Sequence, residues 1–127
     1  MNKMSTSTIL VTATVVAVGF LAYFAYCRRR PKFLSIPELS SDIVLSWVDS
    51  IINSIPTHLG NEFVVQILPT ELTNKLYSTN LSDVYSVIFK SKANDKIIRF
   101  INYKTSKISD ELSDLLLGQV IEIPVER

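Results

Sequence analysis

Residues 84–104 read VYSVIFKSKANDKIIRFINYK, and the fold class turns on whether they are strand or helix. Tyr85, Val87 and Phe89 alternate with Val84, Ser86, Ile88 and Lys90. Beyond Ala93-Asn94-Asp95, Ile97, Ile101 and Tyr103 alternate with Lys96, Ile98, Phe100 and Asn102. A period of two in β-branched and aromatic side chains suits a pleated backbone, and Ala-Asn-Asp is turn-like. The density of apolar residues also admits a helix. The alternation favours a hairpin with strands over 84–92 and 96–104.

Outward from the hairpin the periodicity changes. Val44, Trp47, Val48, Ile51, Ile52 and Ile55 recur at helical spacing, Ser40 or Ser41 stands at the capping position, and Pro56 ends the element. Asp42 falls in the first turn, where the helix dipole favours an acid. Trp47 lies on the apolar face and is expected in the core. EFVVQIL, residues 62–68, is a short branched run before Pro69 and reads as a strand. Thr70 is expected to cap a brief helix carrying Leu72, Leu76 and Tyr77. Ser109 caps a last helix with Leu112, Leu115 and Leu116, and Gly118 suits its left-handed stop. VIEIPV, residues 120–125, reads as a final strand, on an edge because Pro124 cannot donate to a ladder. The expected fold class is α+β, with about four strands and three helices following an N-terminal transmembrane helix.

That transmembrane expectation rests on residues 9–26, ILVTATVVAVGFLAYFAY, which carry no charge. At about 1.5 Å per residue such a helix reaches roughly 27 Å, close to the bilayer core. Tyr23, Phe24 and Tyr26 gather at its C-terminal end, a favoured depth for aromatic rings. Arg28, Arg29, Arg30 and Lys32 follow, against Lys3 alone before the run. Positive flanks remain in the cytosol, so the N-terminus is expected outside and the remaining chain in the cytosol. A cleaved signal peptide is the rival reading. It fits less well, because the run is long and Tyr26-Cys27-Arg28 is a poor cleavage site. The expected organisation is a tail over 1–8, a span over 9–26, a basic juxtamembrane linker over 27–39 containing Pro31 and Pro37, and a domain over 40–127. A short, moderately apolar anchor with a basic flank is similar to the signal anchors of mitochondrial outer-membrane receptors. It is equally similar to endoplasmic-reticulum and viral membrane anchors. The likeness is physical and covers only this segment.

Charge is divided unevenly. The 127-residue chain carries 13 Lys/Arg and 12 Asp/Glu, a net charge of +1. Five of the cations and none of the acids precede residue 33, so the remainder holds eight cations against twelve acids, −4. A domain of that sign lacks the basic footprint of a nucleic-acid binder. Three glycines and five prolines argue against a long disordered tail. The single cysteine, Cys27, excludes an intramolecular disulfide and a multi-cysteine zinc site. It stands at the membrane edge, where palmitoylation or an inert thiol are the alternatives.

Little in the chain points to catalysis. His58 is the only histidine and reads as a loop residue; no serine sits in a nucleophile elbow, and the glycines are too far apart for a phosphate loop. No enzymatic activity, cofactor, metal or small-molecule substrate is expected. Lys90, Lys92, Lys96, Arg99, Lys104 and Lys107, interrupted by the single acid Asp95, make the hairpin locally basic. They read either as a solvated rim that protects exposed strands or, together with Arg28, Arg29, Arg30 and Lys32, as contacts to anionic lipid or an acidic partner. The expectation is a single-pass, signal-anchored, non-enzymatic adaptor, receptor or accessory domain, with other proteins as partners. The alternatives are a structural subunit of a respiratory, import or viral-envelope complex and, less favoured, a membrane-tethered enzyme.

Overall fold

The hairpin is present, and it organises the sheet. The structure, a computed structural model, describes residues 3–4, 10–12 and 31–127. In chain order these form β1 (Lys3–Met4), β2 (Leu10–Thr12), β3 (Leu34–Ser35), α1 (Ser41–Ile51), β4 (Glu62–Leu68), α2 (Thr70–Tyr77), β5 (Val84–Ser91), β6 (Ile97–Lys104), α3 (Asp110–Leu115) and β7 (Val120–Glu126). Residues 31–127 are a small mixed α+β domain with five strands and three helices. The sheet runs β1-β7-β4-β5-β6-β3, with β2 also on β7. Every pairing between named strands is antiparallel except β3 with β6.

Register follows from the alternation. Val65, Phe89 and Ile123 face one another across β4, β5 and β7, and so do Ile67, Val87 and Ile121. All six are fully buried and pack with Val44, Val48 and Ile52 of the α1 segment and with Leu112. The opposite face packs Leu68, Ile88 and Val120 against Leu72, Leu76 and Tyr77 of α2. A one-residue slip would exchange these two sets, so the core holds the register. The hairpin closes where Ser91 N–H donates to Lys96 O and Asp95 N–H to Ser91 O, both at 2.9 Å. Asp95 takes φ 62°, a left-handed value that aspartate tolerates better than most residues. A bulge falls between Phe89 and Lys90, and it shortens the strands to 84–91 and 97–104.

The caps match in two of three helices. Ser40 Oγ accepts from Ile43 N–H and Ser109 Oγ from Leu112 N–H. At α2 the expected cap fails: Pro69 is the N-cap, and Thr70 is the first helical residue. Proline has no side-chain acceptor, and the cap makes no side-chain hydrogen bond. Trp47 is half-buried against the core. Gly118 is left-handed at φ 73°.

Residues 33–39, expected to be a linker, belong to the domain. Leu34 and Ser35 pair with Tyr103 and Lys104, Ile36 N–H donates to Lys104 O, and Leu39 is fully buried. The strand escapes a sequence reading because it is two residues long beside prolines. It forms because the outer edge of β6 offers unpaired backbone groups.

All three helices start at one end of the sheet. β4, ending at Leu68, leads into α2; β6, ending at Lys104, leads into α3; and Ser41 Oγ of α1 donates to Glu111 Oε1 of α3 at 2.9 Å. The hairpin turn lies at the other end, with the beginning of β4 and the end of β7.

The expected transmembrane helix is not supported. Of residues 9–26, Leu10–Thr12 pair as β2 with Glu122, Ile121 and Val120. The outer edge of β7 is open in the 31–127 domain, and an edge pairs readily with a segment containing Val11 and Thr12. The remainder of the run lies outside the described residues. Among the described residues no helix is long and apolar enough to cross a membrane. Pro124 falls between the residues that pair with β1 and those that pair with β2, where no outer ladder needs its missing N–H.

Candidate functional site

The outer edge of β6 is paired by β3 only at Tyr103 and Lys104. Before that point the incoming chain stands away from β6, leaving a cleft of about 640 Å³ lined by Pro31, Phe33, Leu34, Phe100, Ile101 and Asn102. Phe33 meets Tyr77 edge to face at 6.3 Å, and this contact ties the linker to α2. Leu34 is 54 % exposed.

Behind the cleft is a buried polar cluster that the sequence did not announce. Asn102 Oδ1 accepts from Ser86 Oγ at 2.8 Å, and Asn102 Nδ2 donates to the Tyr77 hydroxyl at 3.0 Å. One cross-strand neighbour, Ser86, and one helix residue, Tyr77, thereby satisfy the Asn102 amide. Next to it on the sheet, Gln66 Nε2 donates to Glu122 Oε2 at 2.8 Å, while buried Gln66 Oε1 has no partner. Such a cluster fixes how α2 sits on the sheet. It has no nucleophile paired with a base, and its groups hydrogen-bond one another.

The basic residues expected to act together are separated. Arg28, Arg29 and Arg30 lie outside the described residues. Lys32 is exposed beside the cleft. Lys90 is buried, 8 % exposed, with Nζ 2.6 Å from Asp95. Lys92 is exposed at the turn, with Nζ 3.6 Å from Glu62. Lys96 and Arg99 are exposed nearby. Lys104 is at the other end of β6, where its Nζ donates to Ser82 O at 3.4 Å. Seven residues along a strand is about 23 Å. The hairpin end therefore keeps Lys92, Lys96 and Arg99 together and excludes Lys104.

A second feature at the hairpin end is structural. Arg127 donates to the carbonyls of Ile52, Ile55, Pro56 and Gly60 and lies over the Phe63 ring, 5.3 Å from its centroid. Phe63 in turn stacks on Phe89 at 4.8 Å. Nothing in the sequence beside this arginine announces that role.

Among the described residues, two phenols are shifted. Burial pushes the Tyr85 phenol up; the Thr70 bond opposes this and the Asp83 charge adds to it. Burial alone pushes Tyr103 up. His58 is exposed in a 3-10 turn, Thr57–Leu59. Asp110 and Asp114 are exposed on α3. Among the described residues no group of three His, Cys, Asp or Glu side chains is placed to hold a metal ion. Comparison of the chain with protein-family models, with curated proteins and with solved structures finds no match.

Proposed function

We propose that this chain is a single-pass, membrane-anchored, non-enzymatic protein whose α+β domain works as an adaptor, receptor or accessory module at the cytosolic membrane surface. The observation that carries the reading is the uncharged run 9–26 followed at once by Arg28, Arg29, Arg30 and Lys32. The buried cluster and the close-packed faces support a domain built for rigidity.

On insertion, both Lys3–Met4 and Leu10–Thr12 leave β7, because the span carries the first pair across the membrane and the second segment into it. The energies permit it. Nine Leu, Ile, Val and Phe residues in the run contribute about −0.3 to −0.6 kcal/mol each on insertion at mid-span. The short β1 and β2 ladders return only about 0.5–1.5 kcal/mol per hydrogen bond.

The test is expression of the full chain in cells, followed by alkaline carbonate extraction and protease treatment of sealed membranes. The reading expects a carbonate-resistant chain whose domain is digested from the cytosolic side. Release by carbonate would refute the anchor, and a fully protected domain would refute the topology.

A further inference from the structure

We infer that the hairpin end of the sheet, with Lys92, Lys96 and Arg99, is the surface that lies against anionic lipid headgroups of the membrane holding the chain. This rests on the anchored reading above and adds an orientation to it.

Two independent observations point the same way. The first is the direction of the chain. β3 runs parallel to β6, with Leu34 opposite Tyr103 and Ser35 opposite Lys104. Going back from Leu34, the chain therefore heads toward the beginning of β6, and Pro31 is already beside Phe100 and Ile101. Residues 33–39 are held along this line. Leu39 N–H donates to Lys107 O, Ile36 N–H to Lys104 O, and Phe33 is packed on Tyr77. From Pro31 back to Tyr26 is five residues, at most about 18 Å of extended chain. From Phe100 to Asp95 is also five residues, about 17 Å along a strand. Tyr26 can thus lie no farther beyond Pro31 than about the length of strand that separates Phe100 from the hairpin turn.

The second is the charge along that axis. The hairpin end carries Lys90, Lys92, Lys96, Arg99 and Arg127 against Glu62, Asp95 and Glu126, an excess of two cations, with Lys90 paired to Asp95 and Lys92 to Glu62. The opposite end collects the acids that favour helix starts, Asp42, Glu71, Asp110 and Glu111. A domain with net acidic charge would be repelled by an anionic surface if it approached at random. Its polarity lets it rest with the cationic end down and the helix starts in solution. Each cation close to such a surface contributes about 1 kcal/mol, an effect that salt screens within about 10 Å. Lys104 lies at the acidic end and has no part in this contact.

The experiment uses the full chain with Cys27→Ser, reconstituted into phosphatidylcholine vesicles containing phosphatidylserine. One version carries Ala93→Cys in the hairpin turn and another Ser106→Cys at the opposite end, each labelled with an environment-sensitive fluorophore. Both positions are exposed. A headgroup-attached quencher is expected to quench the label at 93 and to leave that at 106 bright. Glutamates at Lys92, Lys96 and Arg99 should remove the quenching at 93, whereas glutamates at Lys104 and Lys107 should not. Equal quenching, or stronger quenching at 106, overturns the orientation while the anchor stands. Loss of the chain from the vesicles in alkaline carbonate overturns the anchored reading and the orientation together.

Discussion

Arg127 closes the end of the α1 segment while its guanidinium lies over Phe63, 5.3 Å from the ring centroid. One planar fork meets carbonyls from the 3-10 turns after α1 and from the loop before β4. The last residue therefore holds together the first and second elements of the core.

Arg127→Ala should destabilise the domain by about 2 kcal/mol, since it leaves several carbonyls without a charged donor and exposes an aromatic face. For a domain of this size that is a fall in Tm of roughly 10 °C. Arg127→Lys should recover little, because an ammonium cannot reproduce the fork. Thermal unfolding of the three proteins checks this; a lysine variant as stable as the parent would show that charge alone suffices.

Asn102→Ala should cost about 2 kcal/mol, the penalty for leaving buried Ser86 and Tyr77 hydroxyls without their partner. Tyr77→Phe should cost less, since the ring stays in place against Phe33. The double variant should be less destabilised than the two singles together, because both remove the same bond. Strict additivity in urea unfolding would mean that the cluster does not act as a unit.

The elements with strong period were legible, and the tertiary devices were not. α1, β4, the hairpin, α3 and β7 follow from spacing, because each has one face that must be buried. β3 carries no pattern at two residues; only the open edge of β6 makes it a strand. The cap at Thr70 failed because the helix begins one residue earlier than the spacing suggested, with Pro69 at the capping position and Thr70 already helical. Asn102 and Ser86 look like ordinary strand residues until α2 is laid over them. The lysines read as one cluster because they are close in sequence, but a hairpin places neighbours at opposite ends.

Alkaline pH should weaken the fold through Tyr85 and Tyr103, whose phenols are pushed above their usual value mainly by burial. The unfolded chain then loses its protons first. The stabilisation is complete below about pH 10 and declines as pH rises from there through the folded-state values. Tyr103→Phe should flatten that decline. Stability measured from neutral to strongly alkaline pH, with phenolate absorbance, checks it; an unchanged slope in the variant would remove Tyr103 from the account.

The topology has a built-in reporter. Asn80-Leu81-Ser82 is a glycosylation sequon, and Asn80 is exposed, so burial would not shield it. In cells the full chain should remain unglycosylated. Replacing Arg28, Arg29, Arg30 and Lys32 with neutral residues should produce a glycosylated fraction, as part of the population inverts. A glycan on the unaltered chain would contradict the cytosolic placement.

The competition between sheet and bilayer for Leu10–Thr12 gives the last prediction. In the sheet these residues pair with Val120, Ile121 and Glu122 on the outer edge of β7. Once the run is inserted they are no longer available, and that edge returns to water or to a partner strand. Amide hydrogen exchange across 120–122 should therefore be faster for the chain in vesicles than for the chain in dilute aqueous buffer. Exchange in β5, paired on both sides by β4 and β6, should be the same in the two states. Equal protection across 120–122 in both would show that the run does not leave the sheet, and the anchored reading would fall with it.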